Sequence, residues 1–525
     1  MESTTFRQLL AATAISDIGI FMRVTGTAWL MLSFGAGPMY VALIQTASSL
    51  PFFLLALPAG SIGDIVDRRK LILVTELWMM SASVALACMT IAGIISPWAL
   101  ILLTFAISVG DAFETPAWGA IVPEMVSDDD LVSASALSWM EYNLARVVGP
   151  ALTGALIAGG AVGTVFVLDA VSFIGVILVI ARWKRLPPKE VAPAETVGEA
   201  VTGALRYFRY SPAIRTLACK AGIVVFFTSA ILALLPSVAQ RVNESPVALS
   251  LMLGCFGAGG ITGGLLLQVV PPRWSTESVA SASAIILGLT IAGLAPSGTL
   301  MSAGALMVVG GSAWIVFISV LSGFVQNLAP EWVRARVLAI YILLFQGGMV
   351  AGSTLWGIIA DRWSIGTALL CAGTGAIAAT ALGLIWKVPH ASATLRLGKP
   401  WPMPLPLEEP GLRDGPVLIT VEYRVEAEKS AEFLEIMGEC ERARRRDGAY
   451  RWGIFRDMSA PNRYVETFLV RSWAEHVRQH ARQTVADHEI EKRVRSCVYS
   501  EPKVEHLMHG RQRPGKSGLR NPSGR

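Results

Sequence analysis

Six charged residues in apolar surroundings are candidates for chemistry: Asp17, Arg23, Asp111, Glu114, Arg146 and Asp169. A charge at the middle of a membrane-spanning helix costs about 2.5–3.5 kcal/mol on insertion scales, so each needs a partner or a task. Asp111 and Glu114 are three residues apart and share one helix face. Carboxylates that close resist simultaneous ionisation, which suits the loading and release of a proton. A static ion pair between one of them and Arg146 satisfies the same charges. Asp17 and Arg23 are six apart and lie on different faces of their helix, either lining a central cavity or sealed against neighbours. The six histidines, His390, His476, His480, His488, His506 and His509, all follow the last long apolar run. A histidine proton relay within the membrane is therefore excluded.

The elements that must position these residues are long helices. Hydrophobic residues make up 53% of the 525-residue chain and charged residues 16%, and the mean hydropathy is +0.53. That is too apolar for a water-soluble protein of this length. Of the charged residues, 42 fall in the first 400 positions and 41 in the last 125, so a membrane domain precedes a soluble one. A spanning helix takes about 20 apolar residues. Twelve such runs are expected, near 8–33, 40–63, 71–95, 97–121, 135–159, 161–183, 213–238, 246–271, 275–294, 298–326, 335–360 and 364–386. The first reads as a retained signal anchor, because no basic leader and cleavage site accompany it. Arg7, Arg68, Arg69, Lys70, Arg182, Lys184, Arg206, Arg334, Arg336 and Lys387 fall on one side of these spans, and only Arg241 and Arg362 on the other. Both termini are thereby expected in the cytoplasm. The net charge of +5 reflects these loops and is not read as a nucleic-acid surface. The six cysteines show no CxxC spacing, and neither a disulfide nor a metal site is expected; no cofactor is implied.

The expected organisation is an N-terminal six-helix bundle (1–183), a cytoplasmic loop (184–212), a second six-helix bundle (213–386), a proline-rich linker (387–415), a cytoplasmic α+β domain (416–509) and a disordered basic tail (510–525). The two bundles echo each other: FRQLLAATAI (6–15) is similar to IRTLACKAGI (214–223), and VPEMV (122–126) to APEWV (329–333). Such repeats are how many transporters are built. After the linker, hydrophobic periodicity gives the order βαββαβ of a ferredoxin-like fold, with one helix over 472–494. Its His476 and His480 can share a helix face, but HExxH and a complete ligand set are missing. Trp452, Trp473 and Tyr464 are candidates to line a pocket there, while Arg442 and Arg444 to Arg446 read as a solvated helix face.

GSIGDIVDRRK (60–70) resembles the loop signature of the major facilitator superfamily, through Gly60, Asp64, Asp67, Arg68 and Arg69. Ile65 stands where many members have arginine, and the second copy, GLLLQVVPPRW (264–274), has Gln268 in place of the aspartate. NLARVVGPALTG (143–154) resembles the span 5 motif of drug and proton antiporters, through Asn143, Arg146, Gly149, Pro150 and Gly154. With TASSLPFFLLALPAGSIGDIVDRRKL and QGGMVAGSTLWGIIAD, the chain is similar to the bacterial subfamily that contains the enterobactin exporter, the transmembrane secretion effectors. The resemblance implies a proton-coupled exporter of siderophores or drugs in the bacterial inner membrane. It also implies a latch in which Asp64 meets the start of span 11 near Arg334 and Arg336. The C-terminal domain resembles dimeric α/β barrels of the antibiotic-biosynthesis monooxygenase type, which implies homodimerisation or regulation. Two other readings stay open, a membrane-tethered oxygenase and a sensor that does not transport. Trp29, Trp78, Phe226, Phe227, Trp314, Phe317 and Trp356 are further candidates to face a lipophilic substrate. Glycine in GCFGAGGITGG (254–264) suits close helix approach.

Overall fold

The computed structural model describes residues 4–127, 130–183, 197–271, 274–328, 331–385, 410–411 and 414–509. Residues 184–196 of the central loop, nearly all of the linker and the basic tail lie outside them. The chain divides into two compact units. The first comprises Met1–Ala204, Ala213–Asn327 and Val333–His390; the second comprises Leu205–Pro212, Leu328–Trp332 and Ala391–Arg525.

The first unit is helical because lipid offers no partner for backbone N–H and C=O groups, which a helix satisfies internally. Its first half holds α1 (Thr4–Ser33), α2 (Pro38–Ile65), α3 (Arg68–Ile91), α4 (Pro97–Met125), α5 (Leu131–Ala158) and α6 (Val162–Arg182). The connection contains α7 (Val197–Tyr210), a helix where a loop was expected. The second half holds α8 (Pro212–Thr228), α9 (Ala230–Val242), α10 (Pro246–Val269), α11 (Thr276–Leu294), α12 (Leu300–Leu328), α13 (Glu331–Arg362) and α14 (Ile365–Ile385). Short turns place a capping side chain at helix starts: Asp67, Ser96 and Ser275 accept from the backbone N–H groups of Lys70, Ala99 and Ser278, filling donors the helix cannot. Proline at the first turn starts α2, α4 and α10, where its missing N–H costs nothing.

Among the described residues, ten helices are long and apolar enough to cross a membrane, with α8 and α9 counted as one. α5 is outside that set, and α14 offers a shorter apolar segment, Ile365–Ala381. Glu141 and Arg146 interrupt the apolar run of α5. The seventh expected span breaks at Ser229, whose hydroxyl turns back to the Phe226 carbonyl at 2.8 Å.

In the first half α1 packs on α5 and α6, α2 on α4, and α3 on α4 and α6. The halves touch through α5 on α10 and α2 on α9, and through Thr46 of α2, whose hydroxyl meets Ser353 at 2.9 Å and Thr354 at 3.0 Å on α13. Within the second half α10 and α12 approach closely enough that a Cβ on Gly311 would overlap the Phe256 carbonyl, and one on Gly259 the Val308 carbonyl.

The second unit carries β1 (Val417–Arg424), α15 (Ser430–Asp447), β2 (Arg451–Arg456), β3 (Arg463–Val470), α16 (Trp473–Ala481), α17 (Val485–Ser496) and β4 (Lys503–Met508). The sheet order is β2-β3-β1-β4 with every pairing antiparallel. Val417, Ile419, Val421 and Tyr423 alternate inward and pack with Phe433, Met437 and Phe468. The single helix expected over 472–494 is two, because Thr484 forms a capping box with Asp487 and restarts the chain as α17. Leu205–Pro212, the end of α7 and the start of α8, belongs to this unit: Tyr207 is fully buried and Arg206 reaches Glu475 at 2.8 Å.

Gly311→Val should sharply lower the yield of monodisperse protein in fluorescence-detected size exclusion. Gly264→Val, where a Cβ meets nothing within 4 Å among the described residues, should leave it unchanged. Equal yields contradict this packing.

Candidate functional site

A cavity of about 150 Å³ lies between α1, α2, α4 and α5 of the first half and α9 and α10 of the second, with Phe21, Arg23, Gln45, Arg146, Pro150 and Phe256 on its wall. The Arg146 guanidinium lies 5.8 Å from the centre of the Phe21 ring and 5.7 Å from that of Phe256. It is a cation held by two aromatic faces, one from each half, and the alternative of an ion pair to Asp111 or Glu114 is not the one adopted. Arg23, in contrast, is occupied: its Nε lies 3.1 Å from Asp169 Oδ2, and both side chains are buried. The cavity therefore offers one arginine between rings, a setting suited to flat or amphipathic molecules carrying polar or anionic groups.

Beside it runs a line of carboxyl groups. Asp17 of α1 faces Glu141 of α5. Glu114 of α4 accepts from the Thr75 hydroxyl at 2.7 Å and from the Trp118 indole, and it lies against Glu76 of α3. Asp111 lies within the field of Arg23. Glu114 thus has Glu76 as its near neighbour across helices, in addition to Asp111 on its own. Glu76 and Glu141 escaped the sequence reading, although each is a lone carboxylate in an apolar run (LVTELWMM and SWMEYNLA), a signal of the same kind that singled out Asp17.

The span 5 motif is spent on close approach. A Cβ on Gly149 would come within 2.6 Å of Phe21 Cβ on α1, and one on Gly154 within 2.6 Å of Ser250 Oγ on α10. Thr153 donates to the Met22 carbonyl at 3.2 Å. Asn143 donates to Trp139 on its own helix at 2.8 Å. Pro150 lies inside α5 and on the cavity wall. Small residues of α5 thus bring it close to α1 of its own half and to α10 of the other.

In the loop motif, Asp67 caps α3, Arg68 pairs with Glu124 at 2.6 Å, and Arg69 donates to the Ile180 carbonyl at 3.0 Å and to that of Ala181. A cation on the last carbonyls of α6 opposes the negative end of that helix. Among the described residues, nothing lies within 4 Å of a Cβ built on Gly60. The side chains of Asp64 and Arg336, and hence the expected latch, lie outside the described residues.

Of the aromatic candidates, Phe226, Phe227 and Trp356 form one cluster with ring centres 5.0–5.9 Å apart. Phe226 and Phe227 also line, with Phe53 and Gly347, an open cleft of about 730 Å³. Phe53, its residue on α2, stands between Thr46 and the Gly60–Lys70 motif. Trp314 and Phe317 are buried. Trp78 is exposed and donates to the Ala106 carbonyl at 2.6 Å.

In the second unit the expected solvated arginine face is partly interior. Arg444 reaches Glu466, fully buried, at 3.2 Å, and Arg446 reaches Asp447 at 2.8 Å and Asp487 at 2.7 Å. Arg442 alone of that group is exposed. The reason is that α15 lays its C-terminal turns over a buried carboxylate, which also accepts from Tyr423 at 2.8 Å and Trp452 at 2.9 Å. A cavity of about 320 Å³ adjoins it, lined by Tyr423, Arg444, Phe468, His476, His480 and His506 among others. Trp452, Tyr464 and Trp473 are used in the core instead.

The family profile described as transmembrane secretion effector matches residues 1–515. The chain is 23% identical over 342 residues to macrolide efflux protein A of Streptococcus pyogenes, covering 64% of this chain and 84% of that protein. It is 25% identical over 368 residues to the multidrug efflux pump Tap of Mycolicibacterium fortuitum, covering 67% and 88%. A bacterial homologue of the human lysosomal transporter Spinster, solved facing inward and unoccupied, is similar in fold, with a TM-score of 0.55 at 16% identity, over 74% of this chain and 96% of that one.

Arg23→Ala strands Asp169 in the interior, at a cost of about 3–5 kcal/mol. A large loss of thermal stability in detergent is expected, with substantial recovery in the Arg23→Ala/Asp169→Ala double variant. Parent-like stability of the single variant contradicts the pairing.

Proposed function

Because the chain belongs to the transmembrane secretion effector family of major facilitator transporters, we propose that it is a proton-coupled exporter of small amphipathic molecules, of the drug or siderophore class. The observation that carries this is the arginine between two rings in a cavity shared by both halves, with the carboxyl line beside it. α5 and α14 complete twelve crossings, and the Lys- and Arg-rich loops face the cytoplasm of the bacterial cell. The cleft lined by Phe53 and Phe226 then opens inward, and the Thr46–Ser353 contact closes the outer side. In the cycle the substrate enters the cleft, reaches Arg146, and leaves outward once the halves rock about their shared contacts.

Protons entering down their gradient load the carboxyl line and drive the return, worth about 2.3 kcal/mol per charge per 100 mV. Asp17 with Glu141 and Glu76 with Glu114 are the proposed loading positions, since paired carboxyl groups hold one proton in common. Asp64 acts as the inner latch against the start of α13. The C-terminal domain is ferredoxin-like and serves dimerisation or regulation, and the protein is a transporter and not an enzyme.

Purified protein in vesicles with an imposed pH gradient should move a radiolabelled macrolide or a catecholate siderophore faster than without the gradient. Asp17→Asn and Glu114→Gln should each lower the gradient-driven rate at least tenfold, and Asp64→Asn should slow it without loss of insertion. Transport of every substrate tried that is indifferent to the gradient contradicts the coupling.

A further inference from the structure

Three histidines of the second unit meet at one end of its 320 Å³ cavity. His476 and His480 are four residues apart on α16, so both project from one face. Their Nε2 atoms are 3.3 Å apart. His506 comes from β4, where pairing sets it opposite Ile419 of β1, and its ring centre lies 4.8 Å from that of His476. One donor nitrogen from each of the three falls within 4.8 Å of the others. The spacing in sequence hid this set, because its third member arrives through strand pairing.

We propose that His476, His480 and His506 bind one divalent transition metal of the zinc type, with the fourth coordination position open to the cavity. Metal–nitrogen bonds of about 2.0–2.1 Å in a tetrahedral set place neighbouring nitrogens about 3.4 Å apart, close to the 3.3 Å already present between His476 and His480. Small side-chain rotations bring in His506. An imidazole triad with an open position suits zinc, copper or nickel better than magnesium or calcium.

The surroundings favour the ligating form. His476 Nδ1 lies 3.4 Å from Gln479 Oε1; an N–H donated there leaves Nε2 as the lone-pair nitrogen, as outer partners of metal-bound histidines commonly arrange. Burial first, then the neighbouring His480 and His506, holds His476 far below the usual histidine range, at about 3. Burial likewise lowers His506. Gln479 Nε2 and Gln483 Oε1, on residues that line the same cavity, are buried and have no hydrogen-bond partner among the described residues, and so are available to a metal-bound water or small anion. The Arg444 charge nearby is balanced by Glu466.

The test is titration of the metal-stripped, detergent-purified full chain with Co²⁺, read by visible ligand-field absorption, followed by Zn²⁺ displacement. One equivalent per chain with intense tetrahedral bands is expected. His480→Ala and the volume-conserving His506→Gln should each weaken binding by about 100-fold or more, whereas His509→Ala should not. Size exclusion verifies that each variant is folded, and His506→Gln, at the sheet edge, supplies the reading where His480→Ala does not fold. Absence of saturable binding by the parent, or parent-like binding by the His480→Ala/His506→Gln double variant, overturns the proposal.

Discussion

Asp169 is fully buried in α6, and inside hydrocarbon a carboxylate has no water to fall back on. Its partner must come from the protein, and Arg23 of α1 supplies it. Much of the first half follows from that requirement. The pair ties α1 to α6, α1 presents Asp17 toward α5, and two further acids, Glu76 and Glu114, answer each other across α3 and α4. On the loop side Arg68 and Arg69 bind Glu124 and the last carbonyls of α6. Arg23–Asp169, Arg68–Glu124 and Lys220–Glu277 each close within one half of the helical unit.

Among the described residues, the contact between the halves is of a different kind. It is made of hydroxyls, as at Thr46, Ser353 and Thr354, of glycine against serine, as at Gly154 and Ser250, and of Arg146 between rings from the two sides. Small residues let helices approach and turn without breaking a buried ion pair. Among the described residues, ion pairs hold each half together and packing joins them. The proposed rocking needs that division: a rigid bundle on either side, and an interface whose contacts exchange at low cost.

Much of this was legible in the sequence, and unevenly so. Long apolar runs with capping serines and first-turn prolines announce helices by the demand for satisfied backbone groups, and the alternation in VLITVEYR announces a strand. The motif NLARVVGPALTG singled out span 5, and in the structure its Gly154 lies against Ser250 of the other half. What escaped were properties set by partners remote in sequence. The facing of Glu76 with Glu114, the burial of Arg444 against Glu466 and the meeting of His506 with His476 and His480 all depend on packing or strand register, which no local pattern encodes. The break at Thr484 was local, and the T-x-x-D capping box in TVAD was its signal. The break at Ser229 had only a serine to mark it.

The central claim, that transport needs the two halves to part where Thr46 meets α13, is tested most directly by a reversible bond at that place. Thr46→Cys with Thr354→Cys, in a chain whose six native cysteines are replaced, should form a disulfide under mild oxidation and lose substrate movement into inverted vesicles. Reductant should restore it to the level of the unbonded chain. Undiminished transport by fully bonded protein contradicts the account.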